Sequence, residues 1–376
     1  MSALAVLGPG TDKDHRVEAG SPLRFRRQRG RRLRVNITSE TAFWGMEGQG
    51  GHTGFLDCID LMSRHPDLEV FVNSKRQCDV LHSHSWGPGY YLRGLRYPGR
   101  RILTAHAIPE SAEGSLPFMC ESTRAFVRRY LKGIYDFSDI VVAVDPRSAE
   151  SIRRLPVRSP VEVVSNAIRT ERFFPSEWLR REGRALLGID GHRPVVLGVG
   201  QVQPRKGIHD FSEVARAFPG VDFIWVGGRP FGLVSAGLQE LNHLMATTPG
   251  NLRFAGLHDL AVMPRLYNAA DVMLFPSLQE NCPYAPIEAA ACGLPVIFRN
   301  LPVYAGLYRT GYRAADDAAG FIAALRGLLA DGGEYRRAQQ LSRDLVASFQ
   351  ASAFIAIMAA LYDRVATGAR LQQPAA

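Results

Sequence analysis

Two glutamates, Glu280 and Glu288, stand eight residues apart in the segment FPSLQENCPYAPIEAAACGLPVIFRN (275–300). An apolar run ends at Pro276, a polar stretch carries Glu280, Asn281 and Cys282, and a run of small residues carries Glu288. That order predicts a strand, a loop and a helix starting near Pro283 or Tyr284, with proline where helices begin readily. Such a helix aims free N–H groups and the positive end of its dipole beyond the strand, which suits a diphosphate. Glu288, just over one turn inside, is placed to accept bonds from a pair of ribose hydroxyls. Glu280, in the loop, then faces whatever the diphosphate carries.

A second cluster lies in LGVGQVQPRKGIHDF (197–211), where a predicted strand runs into Gly200 and then Arg205, Lys206 and Gly207. Glycine permits close backbone approach and adjacent cations neutralise phosphate, although Arg-Lys-Gly alone is equally the make-up of a solvated basic turn. In the diphosphate setting, Arg205 and Lys206 would stabilise a leaving phosphate electrostatically, and no metal or other cofactor is then required. The one D-x-D triplet, Asp12-Lys13-Asp14, precedes every predicted strand and is read as accidental. His82, His84 and His106 close the predicted strands DVLHSH (79–84) and RRILTAH (100–106). With no cysteine or carboxylate beside them at ligand spacing, they are not read as a metal site. A glycine-rich segment, SETAFWGMEGQGGHTGF (39–55), follows the first strand with Gly45, Gly48, Gly50, Gly51 and Gly54. Asn166 is read as the cap of a local Asx turn.

Short, largely apolar, β-branched runs separated by helical stretches position these residues. RLRVNITS (32–39), LEVFVNS (68–74), IVVAVD (140–145) and VEVVSN (161–166) join the two histidine-ended runs as buried parallel strands. After an Arg-rich connector the grammar restarts with PVVLGVG (194–200), VDFIWVGG (221–228), NLRFAG (251–256), DVMLFPS (271–277) and LPVIF (294–298). The expected fold is α/β, two doubly wound Rossmann-like domains facing across a cleft, with chemistry at the strand ends. The expected divisions are a disordered basic tail over 1–31, a first domain over 32–168, a second over 169–350, and a helix over 351–376 packing back on the first.

The chain has 376 residues, 46% of them hydrophobic, enough for two ordinary domains. Its five cysteines are odd in number and scattered, so a reducing, cytoplasmic location is expected rather than a disulfide framework. No apolar run approaches the roughly 20 residues of a membrane span, and no basic n-region precedes the apolar piece Ala3 to Gly8. Net charge is +9, partly from arginines between Arg24 and Arg34, which raises nucleic-acid binding as an alternative. Phe25 is the lone aromatic among those arginines, against the interleaved stacking residues such binding needs.

The pattern PSxxE, seven residues, then EAAACGLPVI resembles glycosyltransferase family 4, whose E-x7-E signature matches Glu280 through Glu288. The resemblance implies the GT-B fold and a retaining, nucleotide-sugar-dependent hexosyltransferase. It implies His106, Glu280, Arg205 and Lys206 at the reaction centre. It further implies Gly50, Gly51, Gly200, Asn281, Cys282 and Glu288, with Arg205, Lys206 and Glu280, around the donor. Glu280 then holds sugar hydroxyls and is no nucleophile; attack comes from the front face, with the donor phosphate taking the acceptor proton. Across most of residues 33–310 the chain is similar to the bacterial members that glucosylate diacylglycerol. That similarity implies UDP-glucose as donor and the free hydroxyl of 1,2-diacylglycerol as acceptor. Where most members have a glycine-rich EGFG, this chain has Glu280-Asn281-Cys282-Pro283, and Pro283 offers no N–H to a donor. Family members using a polyprenyl-linked or soluble sugar acceptor are the nearer alternative.

A lipid acceptor requires a membrane-facing surface. CESTRAFVRRYLKGIYDF (120–137) predicts a helix with Phe126, Tyr130, Leu131 and Ile134 near one side and Arg124, Arg128, Arg129 and Lys132 around it. Arg93, Arg96, Arg100 and Arg101 lie nearby in sequence. Reversible attachment to the inner face of an anionic membrane is the expected consequence, although an ordinary core helix with a solvated basic face fits the same pattern.

Overall fold

The computed structural model describes residues 31–41, 50–110, 120–189, 191–228, 244–245, 247–308 and 310–368. The expected basic tail, the Asp12-Lys13-Asp14 triplet, Gly45 and Gly48 lie outside these, except for Arg31, which pairs with Asp79 at 3.3 Å.

The first unit runs β1 (Leu33–Thr38), α1 (Gly50–Ser63), β2 (Leu68–Val72), β3 (Val80–Ser83), α2 (Pro88–Leu95) and β4 (Arg100–Ala105). It continues with α3 (Glu121–Phe137), β5 (Ile140–Ala143), α4 (Pro146–Arg154) and β6 (Val161–Val163). Its six strands are parallel in the order β2-β1-β3-β4-β5-β6. Strands such as β3 and β5 are buried along their whole length, because helices cover both faces of the sheet. From β1 the chain moves to one edge and then returns to build the other, so the strand order reverses at β1 and β3.

The second unit runs α5 (Glu177–Leu186), β7 (Val195–Val199), α6 (Ile208–Ala217), β8 (Asp222–Val226), β9 (Leu252–Gly256), α7 (Met263–Ala269) and β10 (Val272–Phe275). Then follow α8 (Tyr284–Ala291), β11 (Val296–Arg299), α9 (Pro302–Leu307), β12 (Arg313–Ala315), α10 (Ala318–Ala330) and α11 (Gly332–Ala347). Its parallel order is β12-β11-β10-β7-β8-β9, with the reversal at β7 and β10. Ligand crevices open outside the carboxyl ends of strands at such reversals.

A last helix, α12 (Ala351–Thr367), crosses back to the first sheet. Met358, Leu361, Tyr362 and Val365 on it join the core formed by Val35, Ile37, Phe55 and Val80. The crossing is pinned where the Ile168 N–H donates to the Phe349 carbonyl at 2.8 Å. No helix among the described residues is long and apolar enough to cross a membrane.

Candidate active site

At the second sheet's reversal, two strand-end loops are bolted together. β7 leads through Gly200 into a tight turn at Pro204–Lys206, closed by Gly207 in the left-handed region at φ 75°. A Cβ on Gly207 would stand 2.1 Å from the Pro276 carbonyl, so glycine is required there by both conformation and space. The Arg205 carbonyl accepts from the Leu278 N–H at 2.8 Å, with Ser277 Oγ 3.3 Å away. The Arg205 guanidinium reaches Gln203 Oε1 at 3.1 Å and the Gln279 carbonyl at 3.4 Å. Lys206 forms an ion pair with Glu280, both side chains largely buried, and Ser277 Oγ donates to Glu280 Oε1 at 2.6 Å. Burial holds the Lys206 ammonium below its usual range, and the Glu280 charge opposes that shift. In this state the cation and the anion satisfy each other. A ligand with its own phosphate charges and hydroxyls can take over both partners.

α8 begins at Tyr284, with Pro283 just before it in extended conformation, as the sequence predicts for this helix. Glu288 lies just over one turn in, 6% exposed, and accepts from the Tyr267 hydroxyl of α7 at 2.6 Å. Burial pushes its carboxyl up to about 7. Asp57 of α1, pushed by burial to about 6, pairs with Arg169 at 2.6 Å, so a second buried carboxylate approaches from the first unit.

The loop between Glu280 and α8 touches both units. Asn281 Nδ2 donates to the His106 carbonyl at 3.3 Å. Cys282 buries its thiol, which desolvation pushes up to about 12, and turns its carbonyl to Asn166 Nδ2 at 2.7 Å. The local Asx turn expected for Asn166 is therefore corrected: its amide spans 116 residues of sequence to hold the opposite loop. A single buried amide can satisfy a distant carbonyl as well as a near one, and the sequence carries no signal to distinguish them.

On the first unit, His106 follows β4 and faces the start of α1. A Cβ on Gly51 would lie 3.4 Å from His106 Cβ, and one on Gly54 would lie 2.7 Å from His106 Cε1 and 3.1 Å from the Tyr284 hydroxyl. Bare glycine on that face lets helix and imidazole pack directly. Gly50, at the first position of α1, meets nothing within 4 Å. His84 Nδ1 contacts His106 Nε2 at 2.9 Å. His82 is fully buried, with Nδ1 2.7 Å from the Tyr362 hydroxyl and Nε2 2.7 Å from Thr104 Oγ1, tying β3 to α12 and β4. Burial lowers His106 to about 4 and His82 to about 3, so these rings are neutral at ordinary pH.

Contrary to the sequence expectation, a cysteine does accompany these histidines. Cys58, on α1, lies 3.9 Å from His82 Nδ1, and Cys58, His82 and His84 offer ligand atoms within 4.8 Å of one another. Twenty-four residues of sequence separate Cys58 from His82, which hides the grouping. The trio still fits a cation poorly. Both His82 nitrogens are engaged, and burial pushes the Cys58 thiol to about 12, against the thiolate a metal needs.

Beyond the histidines lies an exposed surface built by α2 and α3. α3 buries Leu131, Ile134 and Tyr135 and turns Phe126, 68% exposed, outward with Arg124 and Arg129. This divides the apolar side expected for the helix, since Phe126 and Leu131 point opposite ways. Lys132 is tied to Asp136, which also faces Arg158. Arg128 is likewise exposed. α2 adds outward Leu92 and Leu95, and Trp86 precedes it. The Tyr130 hydroxyl donates to the Trp86 carbonyl at 2.6 Å, and that of Tyr135 to the Ala107 carbonyl at 2.8 Å. The patch is thus fastened to the same strand-end loops that carry His84 and His106. Trp86, Leu92 and Leu95 escaped the sequence reading, although outward leucines beside arginines in YYLRGLR were a usable signal.

Comparison with known proteins agrees with this architecture. Residues 193–331 match the family model "Glycosyl transferases group 1" and residues 55–172 match "Glycosyltransferase Family 4". The chain is 33% identical over 294 residues to the alpha-galactosylglucosyldiacylglycerol synthase of Streptococcus pneumoniae, covering 76% of this chain and 77% of that protein. It is 33% identical over 182 residues to the processive diacylglycerol alpha-glucosyltransferase of Acholeplasma laidlawii, covering 48% and 53%. Among solved structures it resembles sucrose-phosphate synthase from Thermosynechococcus elongatus, with TM-score 0.71 and 19% identity over 90% of this chain and 100% of that one. Anabaena HepE in complex with UDP and glucose gives TM-score 0.69 at 16% identity, covering 88% and 99%. Two parallel α/β units with ligand crevices at their strand ends give the GT-B fold, and the two family models with the 33% identical relative make this a glycosyltransferase. The chain belongs to glycosyltransferase family 4.

Proposed function

We propose that this enzyme transfers glucose from UDP-glucose to the free hydroxyl of 1,2-diacylglycerol, with retention at the anomeric carbon, while bound to the cytoplasmic face of a membrane. The observation that carries the reading is the exposure of Trp86, Leu92, Leu95 and Phe126 together with Arg124, Arg128 and Arg129, on elements whose Tyr130 and Tyr135 bond to the loops after His84 and His106. A lipid-glycosylating enzyme needs a surface that meets the membrane, because its acceptor hydroxyl never leaves the interface. The similarity to two proteins named for diacylglycerol glycosyl products supports the same acceptor class.

In this reading the donor diphosphate displaces Glu280 from Lys206, and Arg205 adds charge beside it. The phosphate charge that grows as the glycosidic bond breaks is met by these two cations, so the step needs no metal. Glu280, released, accepts from hydroxyls of the transferred sugar. Glu288 accepts from the ribose in place of Tyr267, and His106 approaches the sugar from the first unit. The donor phosphate takes the acceptor proton on the front face.

A second reading has its own support. The name of the Streptococcus pneumoniae relative places galactose on glucosyldiacylglycerol, which favours UDP-galactose with an acceptor already bearing glucose. Purified protein with chelator present, offered each donor with vesicles of each acceptor, separates the two. A monoglucosyl lipid from UDP-glucose and diacylglycerol is the expected product. Product only from UDP-galactose and glucosyldiacylglycerol selects the second reading, and none from any pair sinks both.

A further inference from the structure

We infer that His84 is a positioning residue that fixes the tautomer of His106: its Nδ1–H donates to His106 Nε2, so that His106 carries its own proton on Nδ1. The inference rests on the proposed role of His106 beside the transferred sugar. Its evidence is geometric. The two rings stack at 5.2 Å between centroids, with His84 Nδ1 2.9 Å from His106 Nε2. Both rings are neutral because burial opposes their charged forms, so one proton is shared across that contact. His84 is 5% exposed and its Nε2 is buried with no hydrogen-bond partner among the described residues.

Two arrangements are possible. If His106 donated from Nε2, His84 would have to carry its proton on its own Nε2, a buried N–H with no acceptor. If His84 donates from Nδ1, its Nε2 is an empty lone pair. An orphaned buried N–H is rarer in folded proteins than an acceptor left without a donor, so the second arrangement, which leaves only His84 Nε2 unpaired among the described residues, stands. His82 cannot reverse the choice, because Tyr362 and Thr104 occupy both its nitrogens.

His106 Nε2 is engaged and faces Gly54 across the start of α1, which leaves Nδ1–H for a ligand. His106 therefore offers a hydrogen-bond donor to a sugar oxygen and cannot act as a base through Nε2. This agrees with a reaction whose proton goes to the donor phosphate.

The full-length protein labelled with ¹⁵N in its histidines gives the first test. Long-range proton–nitrogen correlation at neutral pH is expected to find His106 protonated on Nδ1 and bare on Nε2; a proton on Nε2 overturns the inference. His84→Gln keeps a side-chain donor for His106 Nε2 and is expected to keep the tautomer and most of kcat. His84→Leu removes the donor and is expected to lower kcat about tenfold with donor KM little changed, the worth of one hydrogen bond. A Gln variant as slow as the Leu variant, with His106 still protonated on Nδ1 in both, also overturns it. Should the Leu variant not fold, the spectra of the native protein and the Gln variant still decide. A wrong lipid acceptor leaves those spectra unchanged, so failure of the proposed function is distinguishable.

Discussion

The carboxyl ends of the two sheets are furnished in opposite ways. In the second sheet Lys206 and Glu280 already neutralise each other, Ser277 and Arg205 tie their loops, and Glu288 waits one turn inside α8. In the first sheet the same position holds neutral imidazoles facing Gly51 and Gly54, with exposed arginines on α3. Paired charges are a suitable resting state for a site that receives an anionic diphosphate, because each partner is satisfied until the ligand arrives. A neutral face suits, in the proposed function, the approach of a lipid hydroxyl. Under the proposed function, donor recognition and membrane attachment therefore reside in separate units and should fail separately.

The largest effect is expected from Lys206→Ala. Loss of one preorganised charge at a leaving group costs about 10²- to 10³-fold in kcat. Vesicle co-sedimentation should stay at the native level; a loss of both would merge the two regions. Next is the triple change of Arg124, Arg128 and Arg129 to alanine. Three cations at about 1 kcal/mol each predict roughly 10²-fold weaker partitioning onto anionic vesicles, with UDP-glucose affinity measured calorimetrically unchanged.

Glu288 supplies a pH test of about tenfold. Burial raises its carboxyl from 4.5 to about 7. The folded chain then holds a proton the unfolded chain has lost, so this group makes the fold less stable as pH rises from about 4.5 to about 7. Ribose hydroxyls stabilise the ionised form, so donor affinity should fall about tenfold per unit as pH drops below 7. Glu288→Gln should bind the donor weakly and without that slope; a retained slope assigns the titration elsewhere. The smallest effect falls on the contact between the units. Asn166→Ala strands the buried Cys282 carbonyl and should cost about 1–3 kcal/mol in urea unfolding, with vesicle binding intact.

The two-sheet architecture was legible because parallel strands buried on both faces leave short apolar runs, and because proline punctuates the start of α8. The Lys206 and Glu280 motifs were legible because each falls within a few residues of a strand end. What was hidden is contact across long sequence distance: Asn166 with Cys282, Cys58 with His82, and Tyr267 with Glu288. Helical periodicity also cannot say which of two apolar stripes packs inward. α3 therefore seemed to gather Phe126 with Leu131, which the fold places on opposite sides.

The most direct test follows radiolabelled glucose from UDP-glucose into vesicle diacylglycerol as anionic lipid is increased, for the native chain, Lys206→Ala and the triple arginine variant. The expected result is a native rate that climbs with anionic lipid, a Lys206 variant that binds vesicles but transfers about 10²- to 10³-fold more slowly, and an arginine variant that transfers only at high anionic content. Transfer by the Lys206 variant at the native rate, or a native rate indifferent to the membrane, would contradict the separation of donor site and membrane surface.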